Sequence, residues 1–116
     1  MGASSLETQS KNFWAGASPF SVKTFKAAGT AVTLAMVNND LEPLTLTDIS
    51  IGGTSVFSTA TVFNSGQSIV VVGTLPAACG NAGDPFQYEN VKIIYSKGSV
   101  TGLTYVGAKP LVGKCS

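Results

Sequence analysis

The alternation of apolar and polar positions divides the chain into two unequal parts. Residues 1–18 are polar and rich in Ser and Ala, with Phe13 and Trp14 in their midst. From Pro19 onward, short alternating runs are broken by Gly and Asn clusters about every 8–12 residues, the spacing of a sandwich or barrel. The pattern predicts strands at Phe20–Lys26, Thr30–Asn38, Leu44–Ile51, Ser55–Phe57, Ser68–Val72, Glu89–Ser96 and Leu103–Gly107. In the second of these, Val32, Leu34 and Met36 share one face, since side chains repeat every two residues along a strand. Its other face (Ala31, Thr33, Ala35, Val37) carries no charge and is left either to solvent or to a neighbouring subunit.

The third strand contains a phase conflict. Leu44 and Leu46 lie on one face, whereas Ile49 and Ile51 fall on the opposite one. A bulge near Thr47-Asp48 would return all four to a common inward face. Ser68–Val72 is a continuous apolar run and reads as a central strand, buried on both sides. Leu75 to Pro85 reads as a loop holding Cys79, and Pro110 to Ser116 as a tail. About seven strands over residues 19–116 predict an all-β, immunoglobulin-like β-sandwich. Residues 1–18 are left as a linker or as what remains of a removed N-terminal helix.

Composition narrows the function classes. Of 116 residues, 44% are hydrophobic and 11% charged, with a net charge of +1. This excludes a disordered chain, which needs low hydrophobicity and high net charge. The seven basic residues are all Lys. A near-neutral chain without Arg lacks the electrostatic footprint that phosphate backbones demand, so no nucleic-acid partner is expected. His is absent, which removes the commonest general base and metal ligand and any His-containing triad. Gly107 to Cys115 departs from a phosphate loop in spacing, has Cys115 where Ser or Thr is needed, and leaves no room for a following helix. The chain is read as a non-enzyme, with no cofactor and no metal.

Two pairs of residues were weighed as binding sites. Asp40 and Glu42 share one turn and could hold calcium with loop carbonyls, a solvated turn being the plainer reading. Trp14 with Phe13 could form a sugar-stacking platform or, more simply, a core plug. Cys79 and Cys115 are too few for a zinc site and wrongly spaced for redox chemistry. They form either one disulfide or two buried thiols. No apolar run is long enough to span a bilayer, and Met1–Leu6 lacks a secretory signal. That start reads either as the boundary left when an upstream segment was taken away or as the beginning of an intact cytosolic protein.

Three stretches together carry a resemblance. They are Trp14 with Ala17–Val22; Leu34–Leu46 followed by Asp48–Gly53; and Tyr88–Tyr95 leading to the Lys109-Pro110-Leu111-Val112-Gly113-Lys114-Cys115 run. Over about residues 13–116 the chain resembles the soluble domain of archaeal type IV pilin-like proteins made with a class III signal peptide, relatives of the archaellins. The resemblance implies an apolar N-terminal helix, absent here, that anchors the precursor in the membrane and then bundles with other copies into a filament core. The β-domain then faces outward, outside the cell. The implied partners are copies of the same subunit, with a surface or glycan target where the subunit is adhesive. A free-standing secreted carbohydrate- or ligand-binding module, using Trp14 or loops near Asp40 and Asp84, is the alternative.

Overall fold

The computed structural model describes residues 2–116, with side chains from residue 7 onward. Helix α1 (Gly2–Ala15) precedes ten strands: β1 (Phe20–Ala28), β2 (Ala31–Asn38), β3 (Leu44–Ile51), β4 (Thr54–Phe57), β5 (Thr61–Phe63), β6 (Ser68–Thr74), β7 (Pro85–Tyr88), β8 (Val91–Lys97), β9 (Val100–Val106) and β10 (Leu111–Lys114). One sheet runs β1-β2-β6, and the facing sheet runs β4-β3-β8-β9 with β5 also paired to β3. Taking β1, β2 and β6 as strands A, B and E, and β4, β3, β8 and β9 as C′, C, F and G, this is the connectivity of an immunoglobulin-like sandwich. A separate hairpin-like pair, β7 with β10, lies beside it.

The inward faces follow the alternation of the sequence. Val32, Leu34 and Met36 of β2 are buried opposite Leu44, Leu46, Ile49, Val91 and Ile93. Phe20 anchors one end of the core, edge-on to Phe63 at 5.2 Å and to Tyr95 at 5.5 Å, the ring geometry aromatic quadrupoles favour. β3 is flanked by β8 on one side and by β5 and then β4 on the other. Its register against β8 shifts between Leu46 and Asp48. That is the bulge the phase conflict demanded, and it leaves Leu44, Leu46, Ile49 and Ile51 all buried. The Thr47 hydroxyl donates to the Ile94 carbonyl at 2.9 Å, occupying an acceptor at the irregularity.

Two features depart from expectation. β5, β7 and β10 are strands where the sequence shows loops and a tail. Each is four residues or fewer, too short to show a period. β6 is an edge strand rather than a central one, because it pairs with β2 alone. Its Val71 is buried while Val70 and Val72 are exposed.

Residues 2–15 form a helix, and an i,i+4 pair joins Glu7 to Lys11 at 3.1 Å. The end of the helix enters the core. Trp14 is fully buried with Ala17, and Phe13 packs partly buried against them. Trp14 and Ala17, before the first strand, are thus part of the core.

Candidate functional site

The residues singled out from sequence are dispersed over the molecule. Trp14 is enclosed. Its ring meets Phe13 at 5.2 Å and Tyr105 at 6.2 Å, both edge-on, and its indole N–H donates to the Pro110 carbonyl at 3.3 Å. Ser10 reinforces the same junction: its hydroxyl donates to Pro110 at 2.8 Å and accepts from the Val112 N–H at 3.0 Å. A buried indole cannot stack on a sugar, so the platform reading of Trp14 is set aside. Trp14 instead locks α1 to the start of β10.

Asp40 and Asp84 are not brought together. Asp40 follows the C-terminal end of β2. Asp84 accepts from the Asn81 N–H at 2.9 Å beside the disulfide loop, which is bonded through Cys79 N–H to Gly29 at the other end of β2.

The turn after β2 is organised by Asn38, which is fully buried. Its amide nitrogen donates to the carbonyls of Glu42 at 2.9 Å and Phe63 at 3.0 Å, and its side-chain oxygen accepts from the Asp40 N–H at 2.8 Å. One amide thereby satisfies three main-chain groups from two loops. Asn38→Leu keeps the volume but strands all three. We expect it to cost about 3 kcal/mol, since each buried unpaired polar group costs roughly 1–3 kcal/mol. The midpoint of urea unfolding at pH 7 measures this. A loss below about 1 kcal/mol would mean water replaces the amide.

Asp40 and Glu42 do share this turn, but the protein supplies its own cation. Lys97 Nζ lies 3.1 Å from Asp40 Oδ2 and 3.6 Å from Glu42 Oε2, and Asp40 Oδ1 accepts the N–H groups of Leu41 and Glu42. The Lys97 hydrogen bond, helped by those two N–H groups, holds the Asp40 carboxyl below its ordinary value of 3.8 and raises the Lys97 ammonium above its own. A carboxyl lowered by folding adds stability above its unfolded value and loses it as pH falls through the folded one. Lys97→Met should therefore move Asp40 back up toward 3.8 in an NMR pH titration, and no movement would show that the pair is not formed in solution. Among the described residues, no group of three or more His, Cys, Asp or Glu could hold a metal ion.

Cys79 and Cys115 are joined in a disulfide, which resolves the choice left open by sequence. The bridge sits in a net of main-chain bonds: Cys115 N–H to Asp84, Gly83 N–H to Cys115 and Ser116 N–H to Ala27. Asp84 accepts one of these through its main-chain carbonyl, while its carboxylate caps the Asn81 N–H. Gly107 to Cys115 runs into the extended strand β10, not a helix.

Two surface features remain. A cleft of about 500 Å³ opens between β4 and β6, lined by the hydroxyl residues Thr54, Ser55, Ser58, Thr59 and Thr74 over Val56 and Leu75. It can exchange hydrogen bonds with a neutral ligand. The Ser55 hydroxyl donates to the Asp48 carboxylate. No spacing in the sequence signals this cleft, because Thr74 joins the other four only through the fold. The second feature is the outer face of β1-β2-β6, where Thr33, Ala35 and Val37 lie beside Val70 at 63% exposure and Val72 at 57%. Lys26, on β1, is its charged margin. No helix among the described residues is long and apolar enough to cross a membrane.

Comparison with known families, curated proteins and solved structures finds no match to this chain.

Proposed function

We propose that the chain is the outer, soluble domain of an archaeal surface filament subunit, of the type IV pilus-like kind, and that its role is structural, with adhesion as a second task. One observation carries this reading. A disulfide-closed sandwich presents a sheet face that is uncharged over β2 and β6, with Lys26 only at its β1 margin and with Val70 and Val72 largely open to solvent. Apolar surface of this kind marks contact with other molecules, and in a filament the neighbours are identical domains packed side by side. The disulfide agrees with life outside the cell, where such bonds persist. Helix α1 supports the same reading. It is held to the sandwich by Ser10 and Trp14 and offers a rigid junction for the apolar helix that the resemblance implies.

The proposal is tested on native cells. Surface filaments are sheared off, and the N-terminal peptide of the polypeptide containing this domain is identified by mass spectrometry. A mature chain in the filaments with about 20 apolar residues upstream of Ser4 is the expected result. A chain found solely in the soluble medium and starting near residue 1 would overturn it.

The hydroxyl-lined cleft favours a second reading, a free-standing carbohydrate-binding module. Neutral hydroxyls over an apolar floor suit a sugar's mixed surface. A glycan screen decides: binding that disappears in Ser58→Val and Thr59→Val would place the module first, and no retained glycan would remove it.

A further inference from the structure

A strand at a sheet edge exposes unpaired N–H and C=O groups that can template another strand. Folded proteins blunt such edges with bulges, charges, shortness or cover. In the two larger sheets every edge strand except β6 is blunted, β5 by having three residues. β4 has four residues. β9 shifts register against β8 between Tyr95 and Lys97 and holds Gly102 at φ +72°, which interrupts its regular pleat. β1 has its own bulge between Val22 and Thr24, Lys23 reaches from there to the last turn of α1, and Ser116 bonds the Ala27 carbonyl at the far end.

β6 has none of these devices. It keeps an unbroken register with β2 from Ser68 to Thr74 and contains neither a charge nor a proline. β4 approaches its C-terminal end, where a Cβ on Gly73 would meet the Val56 carbonyl and Val72 lines the cleft between the two strands, and β2 is its one ladder partner among the described residues.

We infer that β6 pairs antiparallel with β6 of a second copy, joining two β1-β2-β6 sheets into one across a two-fold axis at Val70. In that register Val70 faces its own copy, Ile69 faces Val71 and Ser68 faces Val72. Each cross-strand pair is neutral, so the strand meets none of the like-charge repulsion that two-fold pairing imposes on a charged edge. The contact is isologous and closes as a dimer. It also continues the uncharged β2-β6 part of the outer face from one copy to the next. About five residue pairs bury less than the roughly 1,200–2,000 Å² of a standard interface, so the dimer is weak and reversible, with Kd in the micromolar-to-millimolar range. This pairing belongs to the domain alone and stands or falls separately from the filament reading.

The test uses the oxidised chain in sedimentation equilibrium up to about 1 mM, together with amide hydrogen exchange. Dimer should accumulate with concentration, and exchange at Ser68–Val72 should slow in step. Val70→Lys, and independently Val72→Lys, should stay monomeric with an unchanged melting temperature, because both side chains are exposed. A chain that is monomeric throughout, a dimer whose β6 amides are not protected, or lysine variants that dimerise as well as the parent would each overturn the proposal.

Discussion

Trp14→Ala should lower stability by about 4 kcal/mol, in the upper range for emptying a buried aromatic site. The side chain has no exposed surface. Its removal leaves a cavity bounded by Phe13, Tyr105 and Gly107 and frees the Pro110 carbonyl from its indole donor. The neighbours cannot collapse freely into that space, because Tyr105 is fixed in the β8–β9 ladder and Pro110 opens β10. For a domain of this size the loss translates into a melting temperature lower by about 12–25 °C.

Two further variants separate the causes. Trp14→Phe keeps most of the ring and should recover more than half of the loss. Gly107→Ala attacks the same contact from the other side, because a methyl there would overlap the indole. Calorimetry of the three variants, with hydrogen exchange on α1, is the measurement. A cost below about 1 kcal/mol for Trp14→Ala would mean that α1 is not docked in solution.

Reduction of the Cys79–Cys115 bridge is the second large effect. The cysteines are 36 positions apart. Closing a loop of that length removes about 3.8 kcal/mol of chain entropy from the unfolded state. The observed loss should lie between about 2 and 4 kcal/mol, since bridges often deliver less than the loop-closure value. The main-chain bonds of Cys115 and Ser116 to Asp84 and Ala27 use no sulfur atom and should also limit the loss. Thermal melts with and without reductant, with thiol content verified, give the answer. An unchanged transition in fully reduced protein would show that the bridge does not stabilise the fold.

The parts of the fold that were legible in sequence are those in which burial follows a strand's own period. Val32, Leu34 and Met36 announce an inward face, and the phase reversal between Leu46 and Ile49 announces a bulge, because no straight strand could bury all four residues of β3. β7 and β10 were not legible. They are held by each other through pairs such as Phe86 with Gly113, and neither carries a local signal. The valine run of β6 misleads for a different reason. Continuous apolar sequence implies two buried faces, and here the second face is left open.

The candidate site fared less well than the fold. A Trp beside polar residues is compatible with both platform and plug, and what decides is the arrival of Pro110 and Tyr105 from the far end of the chain. Asp40 and Glu42 adjoin in sequence, but Lys97, which neutralises them, is a neighbour through the β3–β8 pairing. The hydroxyl cleft exists because two edge strands of opposite sheets stand near each other.

The bridge also sets how the domain responds to tension. Pulled from its two ends, an unfolded chain with the bridge intact can lengthen only as far as Cys79 before the load jumps across sulfur to Cys115. The 36 residues of that span are withheld, which at about 3.3–3.6 Å per residue amounts to roughly 120 Å of contour. An oxidised domain under load therefore has a built-in stop, which reduction releases.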